Sequence, residues 1–254
     1  MQLRPSQLAR WMQCEKQGIH RAHFPPESGP RVEHVAGWIG SAVHAALAGD
    51  SEPIPPKFLS FDDLTPTFAV ARAQITRMVP AIEAVLALND FTPLAHELHL
   101  PALTFVGNDT FPDWPADLQL GGTLDLLCAG GPDDAGIVAD FKTGRTFEAG
   151  WLQIAAYALR YEWSPPDDPR LPVTIGEAAI VHCMRPAVLK PAQATLLRQP
   201  IEPLMDEAVR VLNRVIASHL DPESAPATPS ERCRFCEHPR CPVRTADYST
   251  RKRN

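Results

Sequence analysis

Gly121-Gly122-Thr123-Leu124-Asp125 ends in an acid, and Asp140-Phe141-Lys142 sets a second acid two residues before a lysine. The apolar run from Gly136 to Lys142 reads as a buried strand. Residues i and i+2 of a strand share a face, so Asp140 and Lys142 project together. Burying two carboxylates and an ammonium without compensation is costly. A divalent cation and a bound anion relieve that cost, so an Asp-x-Lys at a strand end points to metal-dependent phosphodiester chemistry. Taken alone the pattern is weak, because most such pairs are exposed strand ends.

The surrounding elements must hold these groups. The spacing predicts a helix from Ser6 to Gln17 with Cys14 near its end, and a second from about Val32 to Leu47. In the second, Val35, Ile39, Ala42, Val43 and Ala46 make an apolar stripe, while Gly37, Gly40, Ser41 and His44 share a face of small residues. A helical region from Pro66 to Leu88 follows, with Pro80 as a candidate bend. Strands are predicted from His96 to Leu100, from Gln119 to Ala129, from Gly136 to Lys142 and from Glu177 to Met184. Helices are predicted from Glu148 to Trp163 and from Ile201 to His219. Gln153 and Tyr157 lie four residues apart on one helical face and can point back towards Lys142. Strands flanked by helices indicate an α/β class with a central mixed sheet.

With 254 residues and 44% hydrophobic content, the chain can bury one substantial core with a small appended module. The linker from Asp221 to Pro229 divides it into a domain over 1–220 and a Cys-rich module with a basic tail over 221–254. No apolar run approaches the roughly 20 residues that cross a bilayer, and Met1 to Pro5 has no signal-peptide core, so a cytoplasmic protein with no membrane partner is expected. The net charge of −6 argues against coating nucleic acid by bulk electrostatics, although both ends of the sequence are locally basic.

In the cytosol six cysteines are read for metal or redox use. Cys233-x-x-Cys236-x-x-x-x-Cys241-Pro242 is a compact cluster and Cys14 a distant fourth thiol. Four thiolates suit tetrahedral Zn²⁺ or a [4Fe–4S] cluster, and softness alone does not choose between them. Cys128 and Cys183 lie in strand-like apolar runs and read as core residues.

The order of these features carries more than any one of them. His44, then Gly-x-x-Asp125, then Asp140-x-Lys142, then Gln153-x-x-x-Tyr157 resembles the motif series of the PD-(D/E)XK nucleases. It is most similar to the RecB-like and AddB-like exonuclease branch, including the CRISPR-associated RecB-like exonucleases. One cysteine in an N-terminal Ser-x-x-x-x-Trp-x-x-Cys pattern and three near the C-terminus resemble the iron–sulfur staple of that branch. The resemblance runs from about Ser6 to Pro242. Two departures stand out: Asp140 replaces a glutamate common among the CRISPR-associated members, and the last two cysteines are one residue closer than in close relatives.

The resemblance implies a restriction-endonuclease-like core, with the Cys-rich iron–sulfur module joining its two ends. It also implies Mg²⁺ or Mn²⁺ held by Asp125, Asp140, the Phe141 carbonyl and His44. Lys142 would orient the attacking water and stabilise developing charge, Gln153 would position Lys142 or the phosphate, and Tyr157 would contact the strand backbone. Glu97 reads as structural, or as acting behind the metal ligands. The implied activity is a metal-dependent deoxyribonuclease acting as an exonuclease on single-stranded DNA ends, with Cys14, Cys233, Cys236 and Cys241 on a [4Fe–4S] cluster. Two other readings are a DNA-binding or assembly subunit, partnering a helicase or a CRISPR integrase, and a zinc-stapled hydrolase of another phosphate ester. No Gly-x-x-x-x-Gly-Lys-Ser/Thr loop is present, so any unwinding must come from a partner.

Overall fold

The computed structural model describes residues 1–23, 33–57, 59–131, 134–144, 148–187 and 190–228, together with residues 233 and 241. In chain order the first elements are β1 (Gln2–Leu3), α1 (Leu8–Gln13), α2 (Glu15–His23), β2 (Glu33–His34), α3 (Val35–Ala48) and β3 (Leu59–Ser60). Then come α4 (Phe68–Leu88), β4 (Thr92–Leu103), β5 (Gln119–Ala129) and β6 (Gly136–Lys142). The last are α5 (Glu148–Trp163), β7 (Ile175–Cys183), β8 (Ala194–Pro200) and α6 (Glu202–Leu220).

Six strands form the central mixed sheet. β4 and β6 both pair antiparallel with β5, β7 lies parallel to β6, and β8 closes the far edge antiparallel to β7. Side chains alternate between the two faces of each strand, so each face finds its own helices. Leu127, Val138 and Ile180 pack on Ile154, Ala158 and Tyr161 of α5. Leu126, Ala139, Phe141 and Val181 pack on Val35, Ile39 and Val43 of α3 and on Met78 and Ile82 of α4. A third cluster joins Leu3, Leu8, Trp11 and Leu120 to Val211, Leu212 and Val215 of α6.

β5 is shared unusually along one edge. β1 pairs with it in parallel at Gln119 and Leu120, while β6 pairs with it only from Leu126 to Cys128. Among the described residues, 121–125 have no strand partner on that edge. Pro5 and the Tyr157 ring close in beside Gly122 instead. On the opposite edge an irregularity in β4 brings backbone hard against Gly121. A Cβ there would lie 2.6 Å from Ala102 Cα and 2.7 Å from Ala102 N.

The expected limits of β5, β6 and α5 are the observed ones. The segment from Ser6 to Gln17 is not one helix: a 3-10 turn over Pro5–Gln7 leads into α1, and the helix breaks at Cys14 before α2. α3 begins at Val35, adds Trp38 to the expected stripe and leaves Ala46 exposed. α4 runs through Pro80, and β1 and β8 are strands that the residue pattern did not predict. After α6 the chain returns to α2: Lys16 donates through its backbone N–H to Pro226 O (3.0 Å) and through Nζ to Pro222 O and Glu223 O. Beside it, the buried carboxylate of Glu15 accepts from Arg214 and Ser218 of α6.

Only a residue without a side chain fits between β5 and β4 at Gly121, and the obstructing atoms are backbone. Gly121→Ala is expected to destabilise the protein by about 1–3 kcal/mol, the usual cost of overpacking. Thermal denaturation checks it, and an unchanged Tm would remove this close approach as a constraint on the fold.

Candidate active site

The site begins where β5 and β6 part. Their last backbone pair on this side is Leu126 with Ala139. One residue on, the side chain of Asp125 replaces the strand: its Oδ2 accepts the backbone N–H of Phe141 at 2.9 Å. At the same level of β4, Glu97 has φ of 47°, between His96 paired with Leu126 and Leu98 paired with Leu124. A left-handed backbone is unfavourable for a residue with a Cβ, and such strain gathers at functional sites. Glu97 and Asp125 therefore stand side by side at the point where the ladder opens.

On the α5 face, Asp140 is 2% exposed, and Lys142 and Gln153 close a ring with it. Lys142 Nζ lies 2.6 Å from Asp140 Oδ2, Gln153 Nε2 donates to Asp140 Oδ1 at 3.0 Å, and Lys142 Nζ donates to Gln153 Oε1 at 3.1 Å. The ammonium is thus fixed at two points while its side chain stays 24% exposed, so a ligand can still reach it. Gly150 of α5 leaves room for this arrangement, since a Cβ there would come 3.0 Å from Lys142 Cε. Tyr157, one turn beyond Gln153, sets its ring beside Gly122, in the part of β5 without a strand partner on that edge.

From the other face α3 delivers His44. Its Nδ1 lies 3.3 Å from Glu97 Oε1 and 3.5 Å from Asp125 Oδ1, and its Nε2 lies 3.2 Å from the Phe141 carbonyl oxygen. The ring meets Phe141 edge to face at 5.6 Å between centroids. Gly40, one turn earlier, lets the helix approach Thr143. A cleft of about 480 Å³ opens beside it, lined by Gly40, Ser41, His44, Ala45, Asp50 and Glu97.

The charges are strongly interdependent. Burial opposes a charge on His44, but Asp125 and Glu97 outweigh it and raise its pKa to about 10. Burial likewise acts against ionised Asp125, yet His44 and the Phe141 N–H hold its carboxyl below the usual value. Asp140 goes the other way. Burial and then the neighbouring Asp125 charge push it up to about 7, despite the opposing pull of Lys142. Burial, with Asp125 and Asp140 behind it, also raises the Tyr157 phenol. Three carboxylates crowded beside one another are relieved by a cation.

One ligand atom each from His44, Glu97 and Asp125 lies within 4.8 Å of the others. Carboxylate oxygens with an imidazole suit a hard or borderline divalent cation, and a metal taking a His44 nitrogen must displace its proton. The expected residues His44, Asp125, Asp140, Phe141, Lys142, Gln153 and Tyr157 are all brought into this neighbourhood. Within it, Asp140 is engaged by Lys142 and Gln153, and the residue in the metal-capable group that the sequence reading set aside is Glu97. Its available signal was an acid in a strand pattern, one residue after His96, with Asp125 as the matching acid on the next strand.

Cys14, Cys233 and Cys241 are 7%, 6% and 5% exposed, and Cys236 lies outside the described residues. Cys128 and Cys183 are fully buried in the core beneath α3 and α4, and burial raises both thiols, to about 12 and about 11, as suits inert packing residues. No described helix is long and apolar enough to cross a membrane.

No curated protein matches this chain. A solved structure described as "Crystal structure of SSO0001" aligns over 93% of this chain and 95% of its own, at 13% identity and a TM-score of 0.34. Residues 2–242 match the PD-(D/E)XK nuclease superfamily, and a match over nearly the whole length, containing Asp125, Asp140 and Lys142 in one site, shows that the chain belongs to that superfamily.

Proposed function

We propose that this protein is a metal-dependent deoxyribonuclease that hydrolyses phosphodiester bonds at single-stranded DNA ends. The observation that carries the reading is the Asp140–Lys142–Gln153 ring beside the His44–Glu97–Asp125 group. An ammonium is held rigid and accessible next to a cluster of acids that calls for a cation. His44, Glu97, Asp125 and Asp140, with the Phe141 carbonyl, would hold Mg²⁺ or Mn²⁺. When bound, such an ion lowers the pKa of a coordinated water and offsets charge on the scissile phosphate.

The chain's own groups do the positioning. Asp140 and Gln153 aim Lys142 at the water and at the non-bridging phosphate oxygens, where it stabilises the negative charge that develops as the water oxygen bonds to phosphorus and the ester oxygen departs. Tyr157 packs against β5 beside Gly122 and would contact the strand backbone there. The exonuclease preference is carried over from the resemblance of the motif series.

For the cysteines we read a [4Fe–4S] cluster on Cys14, Cys233, Cys236 and Cys241, with Zn²⁺ as the alternative. Supporting it are three buried thiols, a helix break at Cys14, and the anchoring of residues 222–226 on Lys16, two positions after Cys14.

Lys142→Ala is expected to lower cleavage of end-labelled single-stranded DNA with Mn²⁺ by about 100-fold or more, the scale of losing one preorganised charge stabiliser. Its far-UV circular dichroism and visible spectrum should stay unchanged, and retained metal-dependent cleavage would sink the assignment. Asp140→Asn tests the electrostatics. With the folded pKa raised from 3.8 to about 7, the contribution of Asp140 to stability is present below about pH 4 and lost as pH rises through about 7. At pH 8 without metal the Asn variant is therefore expected to melt above the wild type, and to lose the stabilisation that Mn²⁺ gives the wild type. A lower metal-free Tm for the variant would refute this balance. Anaerobically purified protein is expected to show thiolate-to-iron charge-transfer absorbance that Cys14→Ser abolishes. A colourless preparation with one zinc per chain would replace the cluster with zinc.

A further inference from the structure

The catalytic cleft does not stop at Glu97. Two residues further along β4 is His99, exposed and paired across the sheet with Thr123 of β5, which is itself partly exposed. Gly122 carries Tyr157 of α5 on its other side, so Thr123 and His99 occupy the α3 face, the face from which His44 enters. This stretch of β5 is the part without a strand partner on its far edge, and β1 resumes the edge at Leu3, paired with Leu120. Leu3 is buried with Leu120 and with Leu152 and Ala155 of α5. Arg4 follows in extended conformation (φ −104°, ψ 137°) and is exposed, so alternation turns it to the α3 face, level with Gly121. Four residues separate that level from Asp125, ~13 Å at ~3.3 Å per residue. Arg4 takes part in none of the ion pairs among the described residues.

The cleft itself is acidic, with Asp50 and Glu97 in its lining, and draws a cation better than a phosphate chain. Arg4 places an exposed guanidinium on this surface, a group suited to bidentate contact with phosphate oxygens. We propose that the α3-side surface running from the cleft past His99 and Thr123 to Arg4 is the track for a nucleic-acid single strand. Arg4 binds a backbone phosphate beyond the scissile one. The proposal rests on the nuclease reading for the identity of the strand, and it makes Arg4 a positioning residue, not a catalytic one.

The test is binding of an end-labelled oligothymidylate to the full chain in EDTA, where no strand is cut, followed by fluorescence anisotropy across a salt series. Arg4→Ala is expected to weaken binding by about 5- to 10-fold at low salt. It should also reduce the slope of log K against log salt by about 0.7, the value of one single-strand phosphate contact. Arg4→Lys should keep the slope. With Mn²⁺, Arg4→Ala should raise KM for the oligonucleotide and leave kcat unchanged. Turnover of bis(p-nitrophenyl) phosphate, which has no flanking phosphate, should be equal in the two proteins. Binding and slope equal to wild type in Arg4→Ala would overturn the track even if the wild type is an active nuclease. An equal fall in turnover of the small diester would overturn it too, by making Arg4 structural. A wild type that cuts nothing but binds the strand in an Arg4-dependent way would remove the nuclease reading and leave the track standing.

Discussion

The hydrogen bond from the Phe141 backbone N–H to Asp125 Oδ2 is the contact on which the rest of the site depends. A sheet that stayed paired would bury Asp125 against β6 and leave no opening. Here a carboxylate stands in for a strand carbonyl, so β6 can turn away while its N–H remains satisfied. The Phe141 carbonyl is freed to face His44, and Asp140 and Lys142 swing to the α5 face with Gln153. Asp125 and the Phe141 carbonyl thus serve the α3 face of the sheet, and Asp140 and Lys142 the α5 face.

Charge is the second organising term. Protonated His44 and the Lys142 ammonium offset part of the acid charge, while burial makes Asp140 resist ionisation. α5 and α3 pack against opposite faces of the same strands.

Much of this was legible in the residues. The glycine pair before Asp125, the apolar run ending in Asp-x-Lys, and Gln153 with Tyr157 have local signatures, because strand alternation and helical spacing decide where their side chains go. β5, β6 and α5 accordingly have the limits that pattern alone suggested. What escaped was set by distant partners. β1 is two residues long and is a strand only because Leu120 accepts it, and β8 has little β-branched content but pairs along its whole length with β7. Glu97 is a related case: an acid in a strand pattern reads as structural, or as acting behind the metal ligands, and only the register shows it beside Asp125, with a left-handed backbone presenting it.

The return of residues 222–226 onto Lys16 has a consequence for the order of events during synthesis. The Lys142 clamp needs only β6 and α5, which leave the ribosome well before that segment. α2, although among the first elements made, lacks its partners in α6 and beyond until nearly the whole chain has emerged. Contacts this far apart in sequence close late. α2 therefore gains its partners in α6 and in residues 222–226 only after both have been made, whereas Leu8 and Trp11 of α1 already have α5 to pack on.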